Sequence, residues 1–208
     1  MTPVMPVIRA YPVYKFLFWA EQTDGERTVL DCGAGGDLPP LSLFYCCGYR
    51  TTGIDMSEDA IREANNYSKA YGMNLNISPG DMRQLEFPNC SFGFVYSYNS
   101  IFHMTKPDIS RSVDEMRRVL KPEGLAFINL LSIQDDLFGV GNEVGANQFI
   151  QEEEGGPVMH SFYGNEEADS LFKCWQVVHK EERSIDRMCQ GESLHQVYID
   201  YILRKLPL

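Results

Sequence analysis

The stretch from Thr28 to Asp37, Thr-Val-Leu-Asp-Cys-Gly-Ala-Gly-Gly-Asp, constrains this chain more than any other. An apolar strand tip ends in an acid, Asp31, and runs straight into a glycine turn. A second strand-like run, Thr51-Thr52-Gly53-Ile54, ends in another acid, Asp55, about twenty residues beyond the turn. A βαβ unit that holds a nucleoside-bearing ligand needs this spacing. Glycines let the backbone turn tightly and approach the ligand, while the later carboxylate accepts hydrogen bonds from both ribose hydroxyls.

Two ligand classes use such a unit, and the details separate them. A dinucleotide fold wants G-x-G-x-x-G, with a third small residue opening the helix under a pyrophosphate. Gly33 and Gly35 fit, but the third position is Leu38, followed by Pro39 and Pro40. Asp31, just ahead of the glycines, repels a pyrophosphate and attracts an ammonium group. S-adenosylmethionine carries an α-ammonium and no phosphate, so the turn favours it over NAD.

On these residues the chain resembles the class I S-adenosylmethionine-dependent methyltransferases, in particular the small single-domain type. Val29-Leu30-Asp31-Cys32-Gly33-Ala34-Gly35 is similar to the family's first motif and Gly53-Ile54-Asp55-Met56-Ser57 to its second. Gly80-Asp81-Met82 with Leu85 and Phe87 resembles the third, and Phe92 to Tyr98 the fourth, followed by a helix and Arg118-Val119-Leu120-Lys121-Pro122-Glu123-Gly124-Leu125. The resemblance covers roughly Arg27 to Leu131. It departs at Asp37, where the family often has a third glycine.

The resemblance implies roles for particular residues. Asp31, Gly33, Ala34 and Gly35 would hold the methionine end of the cofactor, and Asp55 would take the ribose. Met56 would pack against adenine, Asp81 would accept its amino group and the Met82 backbone N–H would meet a ring nitrogen. Tyr98 and Asn99, at the tip of the fourth strand, would lie against the methionine moiety. Methyl transfer from a sulfonium is an in-line displacement, for which the protein supplies mainly proximity and alignment. A base is needed only if the acceptor must lose a proton, and His103 is the catalytic candidate, with His160 a weaker one. The reading is an enzyme acting on an unidentified small molecule. Its alternatives are a protein methyltransferase and a non-catalytic sensor or scaffold that binds the cofactor.

Alternating strands and helices predict an α/β fold: a doubly wound, mostly parallel seven-stranded sheet closed by a C-terminal antiparallel hairpin. The 208 residues suit a single domain, 1–208. Aromatic residues from Val4 to Gln22, interrupted by Pro6 and Pro12, predict an N-terminal helical lid within 1–26, which either packs on the sheet edge or brings Tyr11 or Tyr14 over the site. A glycine- and acid-rich excursion at 132–164 is expected to wall the acceptor side. Expected helices span Leu38–Cys47, Ser57–Tyr71, Lys106–Val119 and Glu166–Trp175; strands include Asn74–Pro79, Gln176–Met188 and His195–Arg204, with a turn at Lys121–Gly124.

A net charge of −11 repels phosphate backbones, so a nucleic-acid partner is disfavoured. No apolar run approaches the ~18 residues of a membrane span, and the N-terminus lacks the pattern of a signal peptide. The six cysteines form no C-x-x-C pair and read as free thiols. A cytoplasmic protein without a metal site or membrane partner is expected.

Overall fold

A computed structural model describes residues 11–153, 155–189 and 191–206. Helix α1 (Tyr11–Glu21) precedes strand β1 (Thr28–Cys32), helix α2 (Leu41–Cys46), strand β2 (Arg50–Asp55), helix α3 (Glu58–Ala70) and strand β3 (Ile77–Pro79). Strand β4 (Phe92–Ser97), a 3-10 turn (Ile101–His103), helix α4 (Lys106–Val119) and strand β5 (Leu120–Ser132) complete the first half. Strands β6 (Asn142–Gly145), β7 (Gln148–Glu153) and β8 (Gly156–Tyr163), helix α5 (Asn165–Leu171) and the hairpin β9 (Trp175–Cys189) and β10 (Glu192–Lys205) follow.

Strands β3, β2, β1, β4 and β5 are parallel neighbours in that order. Strand β10 runs antiparallel to β5, and β9 antiparallel to β10. These are the seven strands expected, with the hairpin at the edge. Because β1 lies between β2 and β4, the turn after β1 opens at the centre of the carboxyl edge, where such sheets bind ligands.

Three further strands were not foreseen. Where β4 ends, β8 takes over the edge of β5, pairing Leu131 with Phe162 and Ser132 with Tyr163. Antiparallel β7 and β6 extend it. Thus 132–164 is largely an ordered meander, because Phe149 and Phe162 share a small core with Phe102, Leu131 and Tyr198. Glycines and acids in the sequence concealed its alternation.

Several boundaries move for local reasons. Pro39 and Pro40 delay α2 to Leu41. Asn76, in the left-handed region at φ 54°, shortens β3. Instead of a turn before β5, Lys121–Gly124 forms an irregularity within it, with Phe92 opposite Leu120 but Phe94 opposite Leu125. Helix α5 stops at Leu171 instead of Trp175. Pro12 does not interrupt α1; it sits in the first turn, where a missing N–H costs nothing. The parts of the expected lid before Tyr11 lie outside the described residues.

Helix α1 packs on the face of the sheet through Val13, Phe16, Leu17 and Ala20. Phe16 is fully buried, with the rings of Phe44, Phe94, Tyr96 and Phe127 centred 5.8–6.4 Å away. The other face is covered by α4, through Ile109, Val113, Met116 and Val119. Among the described residues no helix is long and apolar enough to cross a membrane. Phe16→Ala is expected to cost about 3–5 kcal/mol in denaturant unfolding, by emptying the contact between α1 and the sheet. A loss below about 1 kcal/mol would show that α1 is only loosely held.

Candidate functional site at the carboxyl edge

The turn after β1 is clamped to β2: the N–H groups of Gly33 and Ala34 both donate to the Ile54 carbonyl, at 2.8 and 2.9 Å. Gly33 has φ 100°, and a Cβ there would lie 1.9 Å from Ser100 Oγ. The Gly35 N–H donates to Asp55 Oδ2 at 2.9 Å. Gly36 also has a positive φ, 102°, with open space where a side chain would be. Within 33–37 the left-handed positions are thus Gly33 and Gly36, and Asp37 is not one of them. Ala34 is fully buried with its methyl in the core and its N–H committed, so the structure places it behind the turn and not on the cavity wall.

Asp31 lies on the floor of the cavity above this turn, together with Gly33, Gly35, Gly36, Asp55, Tyr98 and Asn99. It is 1% exposed, and neither carboxylate oxygen has a hydrogen-bond partner. Burial pushes its pKa up to about 8; the nearby Tyr96 hydroxyl opposes the shift without closing a regular hydrogen bond, and the charge of Asp55 adds to it. An unpartnered buried carboxyl under an open cavity is a receptor for a cation.

Asp55 is pre-organised at the end of β2. Its Oδ2 accepts from Gly35 N–H and its Oδ1 from Ser57 N–H, each at 2.9 Å. Each oxygen keeps a lone pair for a hydroxyl, so this geometry is compatible with ribose binding. Met56, 65% exposed, lines the next cavity with Gly33, Asp55, Met82, Ser100 and His103.

Asp81 borders a third, adjoining cavity with Gly80, Gln84 and Phe87. Its carboxylate is already held by Arg83, whose Nε contacts both oxygens at 2.9 and 3.0 Å and whose Nη2 lies 2.7 Å from Oδ2. The Arg83 guanidinium holds the Asp81 carboxyl below the usual carboxylate range. An amine approaching Asp81 therefore meets a fixed, ionised acceptor. The loop that follows is tied to α4 by Arg118, which donates to the carbonyls of Leu85 and Phe87, both at 2.7 Å.

Asn99, at φ 53°, is locked by buried Asn129: Asn99 N–H donates to Asn129 Oδ1 at 2.8 Å, and Asn129 Nδ2 donates to Asn99 Oδ1 at 2.6 Å. His103 stands on the rim. Its ring packs against Phe102 and His160, centred 4.6 and 4.7 Å away, and Nδ1 faces the Met159 carbonyl at 3.4 Å. Desolvation foremost, then His160, lowers its pKa to about 4. Solvent still reaches the ring from the cleft, so the direction, toward neutral imidazole, is what matters. His160 is buried 5% exposed on β8, with Nε2 3.2 Å from Glu153 and Nδ1 unpaired.

The structure thus gathers Asp31, Gly33, Gly35, Asp55, Tyr98 and Asn99 around one cavity, and Met56, Met82 and His103 around the next. Sequence reasoning missed Gly36, Arg83, Ser100 and Asn129. Gly36 was visible beside Gly35; Ser100 and Asn129 meet partners far along the chain, and nothing in the sequence says that Arg83 folds back on Asp81. Among the described residues no three His, Cys, Asp or Glu side chains are placed to hold a metal ion.

Comparison with known proteins falls on this same region. A family described as a methyltransferase domain matches residues 29–124. The chain is 37% identical over 106 residues to a sterol 24-C-methyltransferase of Pneumocystis carinii, a match covering 49% of this chain and 27% of that protein. It is 31% identical over 104 residues to the 27-O-demethylrifamycin SV methyltransferase of Amycolatopsis mediterranei, covering 48% and 36%. The matches span only about a quarter to a third of the length of these relatives. Among solved structures, a SAM-dependent methyltransferase of Methanosarcina mazei has a TM-score of 0.74 at 19% identity, over 92% of this chain and 98% of that one. The Burkholderia thailandensis 1,6-didemethyltoxoflavin-N1-methyltransferase, solved with S-adenosylhomocysteine, has a TM-score of 0.66 at 17% identity, over 94% and 77%.

The state of Asp31 has a measurable consequence. With a folded pKa of about 8 against 3.8 for the free side chain, the native protein holds one more proton than the unfolded chain between those values. Stability from this group is present below about pH 4 and is lost as pH rises to about 8. Asp31→Asn should flatten the fall in melting temperature of the ligand-free protein between pH 5 and 8. Parallel curves for the two proteins would refute the buried neutral acid.

Proposed function

We propose that this chain, whose core is a class I S-adenosylmethionine-dependent methyltransferase domain, transfers the cofactor's methyl group to a small organic acceptor. The observation that carries the reading is Asp31, a buried carboxyl with both oxygens unpaired beneath a glycine cradle. The α-ammonium of S-adenosylmethionine supplies the cation that it lacks. When bound, the cofactor supplies a methyl group already activated by its sulfonium.

Asp31 holds the methionine end, with Gly33, Gly35 and Gly36 admitting it close to the backbone. Asp55 takes the ribose hydroxyls and Asp81, fixed by Arg83, the adenine amine, with Met56 and Met82 against the ring. Tyr98 and Asn99 border the reacting end. His103 is the base for acceptors that must lose a proton. When its Nδ1–H donates to the Met159 carbonyl, Nε2 keeps the lone pair. The whole chain, 1–208, is read as one domain, with its N-terminal part (1–26) as lid and 132–164 as acceptor wall. The contact of His103, which lines the cleft, with His160 and the Met159 carbonyl of β8 supports the second assignment.

A small acceptor fits the acidic surface better than a nucleic acid does. The free thiols of Cys32, Cys46, Cys47, Cys90 and Cys174 support a reducing, cytoplasmic setting.

Calorimetric titration should show binding of S-adenosylmethionine and not of NAD. Asp55→Ala should weaken that binding at least about tenfold, the worth of one charge-assisted hydrogen bond; unchanged affinity would remove Asp55 from the ribose site. His103→Ala should lower kcat about hundredfold while sparing cofactor affinity. Because its neutral form is the base, the wild-type acid limb should fall below the usual histidine value of 6.5. Full activity in the variant would dismiss the base.

A further inference from the structure

The β9–β10 hairpin is longer than the sheet it closes. Strand β10 pairs with β5 only from Tyr198 to Arg204, yet stays paired with β9 up to Glu192. The hairpin end beyond Tyr198 therefore projects past the carboxyl edge of the sheet. Directly opposed residues share a face, so Arg183 with Tyr198, and Arg187 with Leu194, alternate onto one face with Asp200. Tyr98 belongs to the same face, since its ring lies 6.4 Å from that of Phe127, which is opposed to Ile202.

The polar groups on this face are arranged with care. The Arg183 side chain is 13% exposed and that of Asp200 3%. Arg183 Nε donates to Asp200 Oδ2 at 2.7 Å, and the guanidinium lies 4.6 Å above the Tyr198 ring. Burial raises the Asp200 pKa even against the pull of Arg183. Such a pair is a poor source of stability compared with apolar packing. It does hold the guanidinium rigid, while its Nη1 group makes no hydrogen bond among the described residues.

Arg187 is exposed and has no ion pair among the described residues; its Nη2 lies 3.5 Å from the Tyr198 hydroxyl. The Tyr98 phenol, which lines the cavity over Asp31, lies in the field of both arginines. The Gln196 amide oxygen, opposite Ile185 on the same face, is buried without a partner. Arg183 is neutralised by Asp200, so Arg187, without an ion pair among the described residues, is the guanidinium left to meet an anion on this face.

We infer that Arg183 and Arg187, with Tyr98 and Tyr198, form a carboxylate subsite beside the methyl-donor cavity. The planar guanidinium presents its donors in the spacing of a carboxylate, and Asp200 fixes it in advance of binding. The carboxylate has two sources: the acid group of an anionic acceptor, or the methionine carboxylate of S-adenosylmethionine. This inference rests on the methyltransferase reading given above.

Arg187→Ala and Arg183→Lys, with folding checked by thermal melting, test it in two arms. The first is calorimetric titration with S-adenosylmethionine and with its decarboxylated analogue. An affinity loss of about tenfold for the intact cofactor alone assigns the subsite to the cofactor's carboxylate. The second is binding and methylation of small carboxylic acids, each paired with its methyl ester, in the presence of S-adenosylhomocysteine or S-adenosylmethionine respectively. A loss of about tenfold for the acids alone assigns it to the acceptor. Unchanged cofactor affinity, together with no loss of acid over ester in either variant, overturns the subsite. A wild-type chain that binds neither form of the cofactor sinks the methyltransferase reading instead, and direct titration of the acids and esters then decides the subsite separately.

Discussion

The arrangement of the cleft depends on one constraint, the burial of Asp31 at the end of the central strand. Its neighbours across the sheet are Gly53 on β2 and Tyr96 on β4. Gly53 is small because a Cβ there would lie 2.6 Å from that of Ala34 and 2.8 Å from Ile77. Close packing brings the turn onto β2 and leaves the carboxyl without a regular hydrogen bond, the Tyr96 hydroxyl lying near but unpaired. The fold therefore maintains an acid in its uncharged form at the point where its loops converge. A cation entering the cavity lets that acid ionise, which couples binding at the site to a proton.

The other two carboxylates of the cleft are treated differently. Asp55 is tied by backbone N–H groups and Asp81 by a guanidinium, so each is oriented before any ligand arrives. Orientation fixed in advance removes an entropic cost that binding would otherwise carry. Three acids along one edge thus differ in character: one neutral and unpartnered, one held by amides and one by an arginine. Their separate surroundings suit an ammonium, a diol and an aromatic amine respectively.

The gathering of these acids and glycines at one edge was legible because it is local. The acid-glycine turn, Asp55 and Asp81 each lie at the end of a strand, and strand ends can be read from apolar runs and the residues that stop them. What escaped was non-local. Arg83 is two residues from Asp81, but nothing in the sequence says that its guanidinium folds back on that acid. Asn129 reaches Asn99 across 30 positions, and only the pairing of β4 with β5 brings them together. The strands β6 to β8 were hidden for another reason: glycines and acids interrupt their alternation, and the burial of Phe149 and Phe162 outweighs those weak local preferences.

The same distinction separates the two halves of the chemistry. The family match ends at residue 124, whereas the hairpin and the meander that flank the cleft are built from 132–164 and 175–205. A cofactor of constant shape can be gripped by loops that follow consecutive strands, since the strand order alone brings them together. An acceptor must be gripped from the opposite side, and that side consists of whatever later segments project past the sheet. Here the meander sets His160 against His103 at one rim, and the hairpin sets a pair of arginines at the other. If the arginines take the acid group of the acceptor, the two rims act on one substrate, with His103 facing the atom that gives up its proton. Discrimination among acceptors would then lie with the hairpin and the meander, the parts of the chain beyond the family match.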